Sequence, residues 1–404
     1  MEQTAEREYF NKNLNLSYVD ESLPKPGNKI IFKHIISSLI VYLLVYVILC
    51  INPFLKGYIS PEIKRVITIC LFAYMLISPA IYFIFRPKSV YSSHNVHICD
   101  YFLKCIKNLK KLRLCHSIED FTQMLSEFKP NYYEKSSMIF IFIKFFFGTI
   151  MISPALGNYE VLKQRFPEYV QLFDNFRAVF SNFSMSAIHS FILQWRDFIY
   201  YNFILLMFTI DITIFGFGYV TELYILKNKI RTVETTFTGL FFCLICYPPF
   251  VMATNKILGW NSFENAAVFN DPNHWLTWVF RLMGMFFLFI YVAASVALGT
   301  KASNLTNRGI VKVFPYNVVR HPAYVSKIAF WLCQFLPTIF IPMMVLKYNW
   351  AGYSINVFFA FLSLMAYALI YYIRALTEER HLGQDPDYRE YKEKVKWQFI
   401  PGIF

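Results

Sequence analysis

Charge is scarce in this chain. Asp, Glu, Lys and Arg make up 16% of its 404 residues, against roughly 25% in a soluble domain. That shortage excludes an ordinary water-soluble globule. Acidic residues are the scarcer sign, 26 against 39 basic ones, which leaves a formal charge of +13. No basic soluble module stands apart from the apolar runs, so no nucleic-acid partner is expected. In a multispan chain such an excess marks cytoplasmic loops beside anionic lipid. The 8 cysteines lie partly inside apolar runs, which excludes a disulfide framework. No metal is expected. A cleavable signal peptide is missing: the first thirty residues are polar and mixed in charge, and the apolar run after them is long enough to stay in a bilayer. No internal repeat is visible.

What the chain has is apolar length. Hydrophobic residues reach 56% and aromatics 20%. Candidate spans run Ile31–Leu55, Arg65–Phe85, Ser137–Pro154, Tyr200–Leu226, Val233–Ala253, Trp275–Leu298, Val325–Leu346 and Tyr353–Leu376. Each approaches the roughly 20 residues that cross a bilayer. Loop charge tests the count. Segment 86–136 carries Arg86, Lys88, Lys104, Lys107, Lys110, Lys111, Arg113, Lys129 and Lys135, and 227–232 carries Lys227, Lys229 and Arg231. Loop 254–274 carries only Lys256. The expectation is an all-α, polytopic membrane protein of about eight transmembrane helices with amphipathic surface helices, both termini cytoplasmic. The membrane would be the endoplasmic reticulum in a eukaryote or the inner membrane in a bacterium.

Residues 1–30 read as a polar N-terminal tail, expected to be poorly ordered. Residues 31–230 form a four-span region of unassigned role, and 231–404 a second four-span unit ending in an amphipathic helix. Segment 97–129 is basic and amphipathic, and 156–199 alternates aromatics with charges; both suit surface helices. Lys144 and Asp211 fall inside apolar runs and are expected to pair with each other. Arg281, near a span end, is expected to snorkel. Cys243 and Cys246 read as packing residues, and Tyr247-Pro248-Pro249 as a kink. Asn182-Phe183-Ser184 is a sequon, and Cys99, Cys105 and Cys115 are candidates for acylation.

Two polar stretches remain. Pro315-Tyr316-Asn317-Val318-Val319-Arg320-His321-Pro322-Ala323-Tyr324 precedes the seventh run, and Thr377-Glu378-Glu379-Arg380-His381-Leu382 follows the eighth. Only Lys347 to Gly352 separate those runs, so they form antiparallel neighbours and the two stretches meet at one face. Pro322 disfavours helix at His321, so a helix starts there, offering unpaired N–H groups beside Arg320 and His321. Arg374 and Glu378 share a helical face. Arg374 either pairs with Glu378 or binds an anionic acceptor. A cationic pocket beside an acidic one suits a zwitterionic ligand.

These stretches, with Tyr388, Tyr391 and Pro401, resemble the isoprenylcysteine carboxyl methyltransferase and phospholipid methyltransferase group of membrane enzymes. The resemblance covers about residues 235–404 and departs at Phe314 and Ser326, where the family has glycine. It implies S-adenosylmethionine as cofactor, held by Tyr316, Arg320, His321, Pro322, Tyr324, Glu378 and Glu379. Arg374, singled out by its place on the helical face beside Glu378 and not by the resemblance, is the catalytic candidate. The acceptor would be lipid-like: a prenylcysteine carboxylate, a phospholipid amine or another amphiphile in the bilayer. The ending Ile400-Pro401-Gly402-Ile403-Phe404 also resembles sterol reductases that use NADPH. Pro322, Ala323, Thr377 and Glu378 stand where those enzymes differ, which favours methyl transfer. A non-enzymatic transporter or scaffold rests on Lys144 and Asp211 alone.

Overall fold

The computed structural model describes residues 2–51, 61–112, 118–181, 184–222, 226–252, 275–345 and 350–403. The sequon's Asn182 and Phe183, Cys115, loop 254–274 and positions 346–349 of the hairpin link lie outside the described residues. Long apolar runs can satisfy their backbone groups only within themselves, and the chain is accordingly helical. The first half comprises α1 (Glu2–Asn13), α2 (Asn28–Ile51), α3 (Pro61–Phe85), α4 (His94–Leu112), α5 (Ile118–Glu127), α6 (Tyr132–Gln164), α7 (Phe166–Ser181) and α8 (Met185–Val220). The second comprises β1 (Thr232–Val233), α9 (Phe237–Leu244), α10 (Trp275–Leu298), β2 (Thr306–Asn307), α11 (Pro322–Val345), α12 (Trp350–Leu382) and α13 (Pro386–Lys394).

Among the described residues, five stretches are long and apolar enough to cross a membrane: Asn28–Leu49, Pro61–Phe85, Tyr132–Gln164, Phe191–Val220 and Trp275–Lys301. They fall on five of the expected spans. The expected span Val233–Ala253 does not form as one helix. Thr236 caps α9 by accepting the Gly239 N–H at 3.2 Å, and α9 has ended by Leu244, after eight residues. Eight residues rise only about 12 Å. Tyr247-Pro248-Pro249, expected as a kink, falls in a break between α9 and helical backbone that resumes at Phe250. Helices α11 and α12 have 24 and 33 residues.

One apolar core runs across position 230. Phe140, Ile143 and Phe147 of α6 pack with Tyr219, Ile230, Val233 and Cys243. Phe147 stacks on Tyr219 at 5.2 Å between centroids. Helix α8 also packs on α10, and α10 lies along α11. The N-terminal tail joins this body, contrary to expectation. Phe10 and Leu16 are each 4% exposed, and the Leu16 N–H donates to the Arg231 carbonyl at 2.6 Å. Arg7 reaches Asp387 at 3.4 Å, and Arg389 reaches Glu6 at 2.9 Å.

Two expectations about intramembrane charge are corrected. Asp211 does not pair with Lys144; it accepts from Tyr291 Oη at 2.8 Å and Ser295 Oγ at 2.5 Å. Those hydroxyls stand one turn apart on α10, so one helical face satisfies both oxygens. Arg281 does not snorkel. It is buried with its guanidinium 4.6 Å from the Tyr200 ring centroid and 4.8 Å from Trp278, where aromatic faces replace water around the cation. Surface helices α4 and α5 form as expected, and Phe102, Leu103, Ile106 and Leu109 lie exposed on α4.

Candidate functional site

The site begins where α11 begins. Pro322 is the first residue of the helix, a position where its missing N–H costs nothing. Before it the backbone is pinned to the C-terminal segment: the Arg320 N–H donates to Trp397 O at 2.9 Å and the His321 N–H to Gln398 O at 3.0 Å. Arg320 Nη1 adds bonds to the carbonyls of Val395 and Lys396 at 2.9 and 2.7 Å. The last turn of α12 faces this start, so the two polar stretches do meet, as the short link required.

Glu379 is the anchor of that meeting. It accepts from Arg320 Nε and Lys392 Nζ, each at 2.7 Å, and lies 3.3 Å from His321 Nε2. Burial opposes its ionisation, yet the bonds from His321, Lys392 and Arg320 outweigh burial and hold the carboxyl at about 2. Glu378 is freer. Its side chain is 42% exposed, and it accepts from Tyr324 Oη at 2.6 Å. Tyr324 stacks parallel to His321 at 5.4 Å.

Arg374 lies one turn deeper. The expected pair with Glu378 is absent; Arg374 Nη2 donates to Asn304 Oδ1 at 2.9 Å. Its guanidinium sits 5.2, 5.4 and 5.7 Å from the rings of Tyr324, Tyr371 and Tyr247. Glu378 turns to Tyr324 on α11, which leaves Arg374 to the rings and to the segment before β2. That segment is held from two sides. Gly218 of α8 touches it so closely that a Cβ there would stand 2.1 Å from Ala302 O. Strand β2 pairs antiparallel with β1, Thr232 opposite Asn307. Asn307 Nδ2 donates to Asp385 at 2.7 Å, and Arg231 bridges Asp385 and Asp387 at 3.0 and 2.8 Å. Thr232 Oγ1 meets His381 Nε2 at 2.9 Å, and burial pushes the His381 imidazole below its ordinary value.

Two cavities result. The inner one, about 30 Å³, is lined by Glu234, Asn304, Thr306, Tyr324, Arg374, Thr377, Glu378 and His381. The outer one, about 100 Å³, is lined by Lys301, Ser303, Thr306, Tyr316, Arg320, His321, Glu378, Tyr388 and Tyr391. Thr306 and Glu378 belong to both walls. Ser303 Oγ, Thr306 Oγ1 and Tyr388 Oη are buried without a hydrogen-bond partner, a cost of about 1–3 kcal/mol each unless something fills the cavity and bonds them.

Each residue expected at the site now has a place. Tyr316, Arg320, His321 and Glu378 line the outer cavity; Tyr324, Arg374 and Glu378 line the inner one. Pro322 and Glu379 line neither. Pro322 starts the helix and its carbonyl accepts Ser326 Oγ at 2.5 Å, and Glu379 ties α12 to α11 and α13. Sequence reading did not single out Asn304, Thr306, Glu234 or Lys392. The polar run Ser303-Asn304-Leu305-Thr306-Asn307 after an apolar helix was the visible signal for the first two. No family model, curated protein or solved structure matches this chain.

Proposed function

We propose that this protein is an integral-membrane methyltransferase that uses S-adenosylmethionine and acts on a lipid-like or membrane-embedded acceptor. One observation carries the reading. The Arg320-His321-Pro322-Ala323-Tyr324 stretch is joined by direct bonds to Glu378 and Glu379 beside a cavity whose wall carries Tyr316, Glu378 and Tyr388.

The lining offers polar and aromatic groups of the kind this cofactor needs. Three buried hydroxyls lack partners, Glu378 is half exposed beside them, and Tyr316 and Tyr388 add aromatic surface. When bound, S-adenosylmethionine supplies a methyl group on a sulfonium, already activated by its charge. Glu378 is the residue to accept from an ammonium. Ser303, Thr306 and Tyr388 are the donors to oxygens nearby. Arg320 and Glu379 are spent on each other and on the C-terminal segment, so they position the wall and do not bind. Arg374, fixed by Asn304, puts a cation in the inner cavity, where it suits an acceptor carboxylate. A carboxylate needs no general base. Displacement at carbon requires alignment and exclusion of water, and the shared wall of Glu378 and Thr306 sets the two cavities side by side.

The basic loops favour a multi-pass arrangement with both termini cytoplasmic. A count of about eight crossings needs α11, α12 and residues 237–274 to cross besides the five stretches above.

Calorimetry on the purified protein in detergent tests the reading. Wild type binds S-adenosylmethionine, and His321→Ala and Glu378→Gln each weaken binding by at least about tenfold. Labelled methyl then appears in a lipid extract. Absence of binding by wild type, or preferential binding of NADPH, overturns the proposal.

A further inference from the structure

A third cleft, of about 380 Å³, opens among α2, α3 and α6. It shares no lining residue with the two cavities above. Its walls are apolar except for a few hydroxyls and one cation, Lys144. We propose that this cleft binds a single-chain amphiphile with a small anionic head, a long-chain carboxylate, whose head meets Lys144 and whose chain lies along α3. The proposal is independent of methyl transfer.

Charge argues first. Among the described residues no carboxylate lies within 4 Å of the Lys144 ammonium, and its contact there is the Phe140 ring at 5.7 Å. Glu222 is the carboxylate that acts on it from farther off, and an ammonium in an apolar wall with no anion in contact is costly. Depth argues second. Helix α6 starts at Tyr132, so Lys144 lies about 18 Å along it. Counted from Ser137, where the expected span starts, Lys144 lies seven residues in, about 10 Å, so an anion carried on its own chain reaches it from within the apolar layer.

The lining then selects the head. Thr149 Oγ1 is bonded to the carbonyls of Phe145 and Phe146 at 2.8 and 3.0 Å. No acidic side chain lines the cleft, so the cation of a zwitterionic phospholipid would find no counter-charge. A carboxylate needs only Lys144 and neighbouring hydroxyls. Lateral access is open along α3, where Val66 is 51% exposed at the rim.

Binding of cis-parinaric acid, followed by its fluorescence with the full chain in detergent, tests this. Wild type gives saturable binding that palmitate displaces. Hexadecanol and phosphatidylcholine displace it at least tenfold more weakly. Lys144→Arg keeps binding, and Lys144→Met loses it by at least tenfold. Val66→Trp blocks the rim with Lys144 intact and also loses it. No saturable binding by folded wild type, undiminished binding by a folded Lys144→Met, or equal displacement by hexadecanol overturns the proposal. Should Lys144→Met fail to fold, the comparison of palmitate with hexadecanol and the Val66→Trp variant decide it.

Discussion

Glu378 and Glu379 are adjacent in the chain, share His321 as a neighbour and differ in the rest. Glu379 faces Arg320 and Lys392 and is 8% exposed, whereas Glu378 has one tyrosine hydroxyl and 42% exposure. Removing one partner of a buried ion pair strands the other. Glu379→Gln is expected to lower stability by about 3 kcal/mol, and Glu378→Gln, which loses one hydrogen bond, by about 1 kcal/mol. Chemical unfolding of both in detergent measures the difference; equal losses would count against the anchor role of Glu379. The same contrast has a pH signature. The Glu379 carboxyl lies below its ordinary 4.5, at about 2, in the folded chain. A depressed acid contributes stability above the unfolded value and loses it as pH falls through the folded one. The stability gap between wild type and Glu379→Gln should therefore be full above about 4.5 and shrink steadily toward about 2. A gap that stays constant over that range would contradict the assignment.

Among elements, the hairpin of α11 and α12 was legible and α9 was not. A short link between two long apolar runs leaves one arrangement, antiparallel neighbours, so Arg320 and Glu379 had to share a face whatever else folded around them. The start at Pro322 followed from a local rule of backbone sterics. Val233–Ala253 offered no such rule. Apolar length alone does not separate a span from a short buried helix, and the cap at Thr236 became decisive only once the chain turned at Tyr247. Which partner Asp211 or Arg374 chose depended on facing helices, information that no single run contains. Helix α8 carries a further test of element placement. A methyl group on Gly218 would meet the Ala302 carbonyl oxygen at 2.1 Å, and this contact sets the segment that presents Asn304 to Arg374. Gly218→Ala is expected to cost about 1–3 kcal/mol. It should also weaken ligand binding in the inner cavity more than Gly157→Ala, where a Cβ meets nothing within 4 Å. Identical behaviour of the two variants in unfolding and ligand titration would show that the contact does not fix the segment.

At the scale of the whole molecule the N-terminal tail closes onto the second half. Its exposed ion pairs, Arg7 with Asp387 and Glu6 with Arg389, contribute roughly 0–1 kcal/mol each and fade with salt. The buried Leu16 side chain matters more. Leu16→Ala is expected to cost about 2–5 kcal/mol and to keep that cost in high salt, while Arg7→Ala costs less than about 1 kcal/mol and only at low salt. Protease sensitivity of the tail at two ionic strengths separates these outcomes. A polar stretch of mixed charge gave no hint of this docking, because Phe10 and Leu16 belong to no apolar periodicity and acquire meaning only from the surface they meet.

The shared wall has a last consequence. Glu378 has one carboxylate for two cavities, and Thr306 one hydroxyl. A guest in the outer cavity that draws Glu378 toward itself takes it from Tyr324 and changes the potential around Arg374. Affinities in the two cavities are then thermodynamically linked, and by reciprocity each guest alters the other's binding by the same factor. A cation outside and an anion inside would then reinforce each other through one side chain.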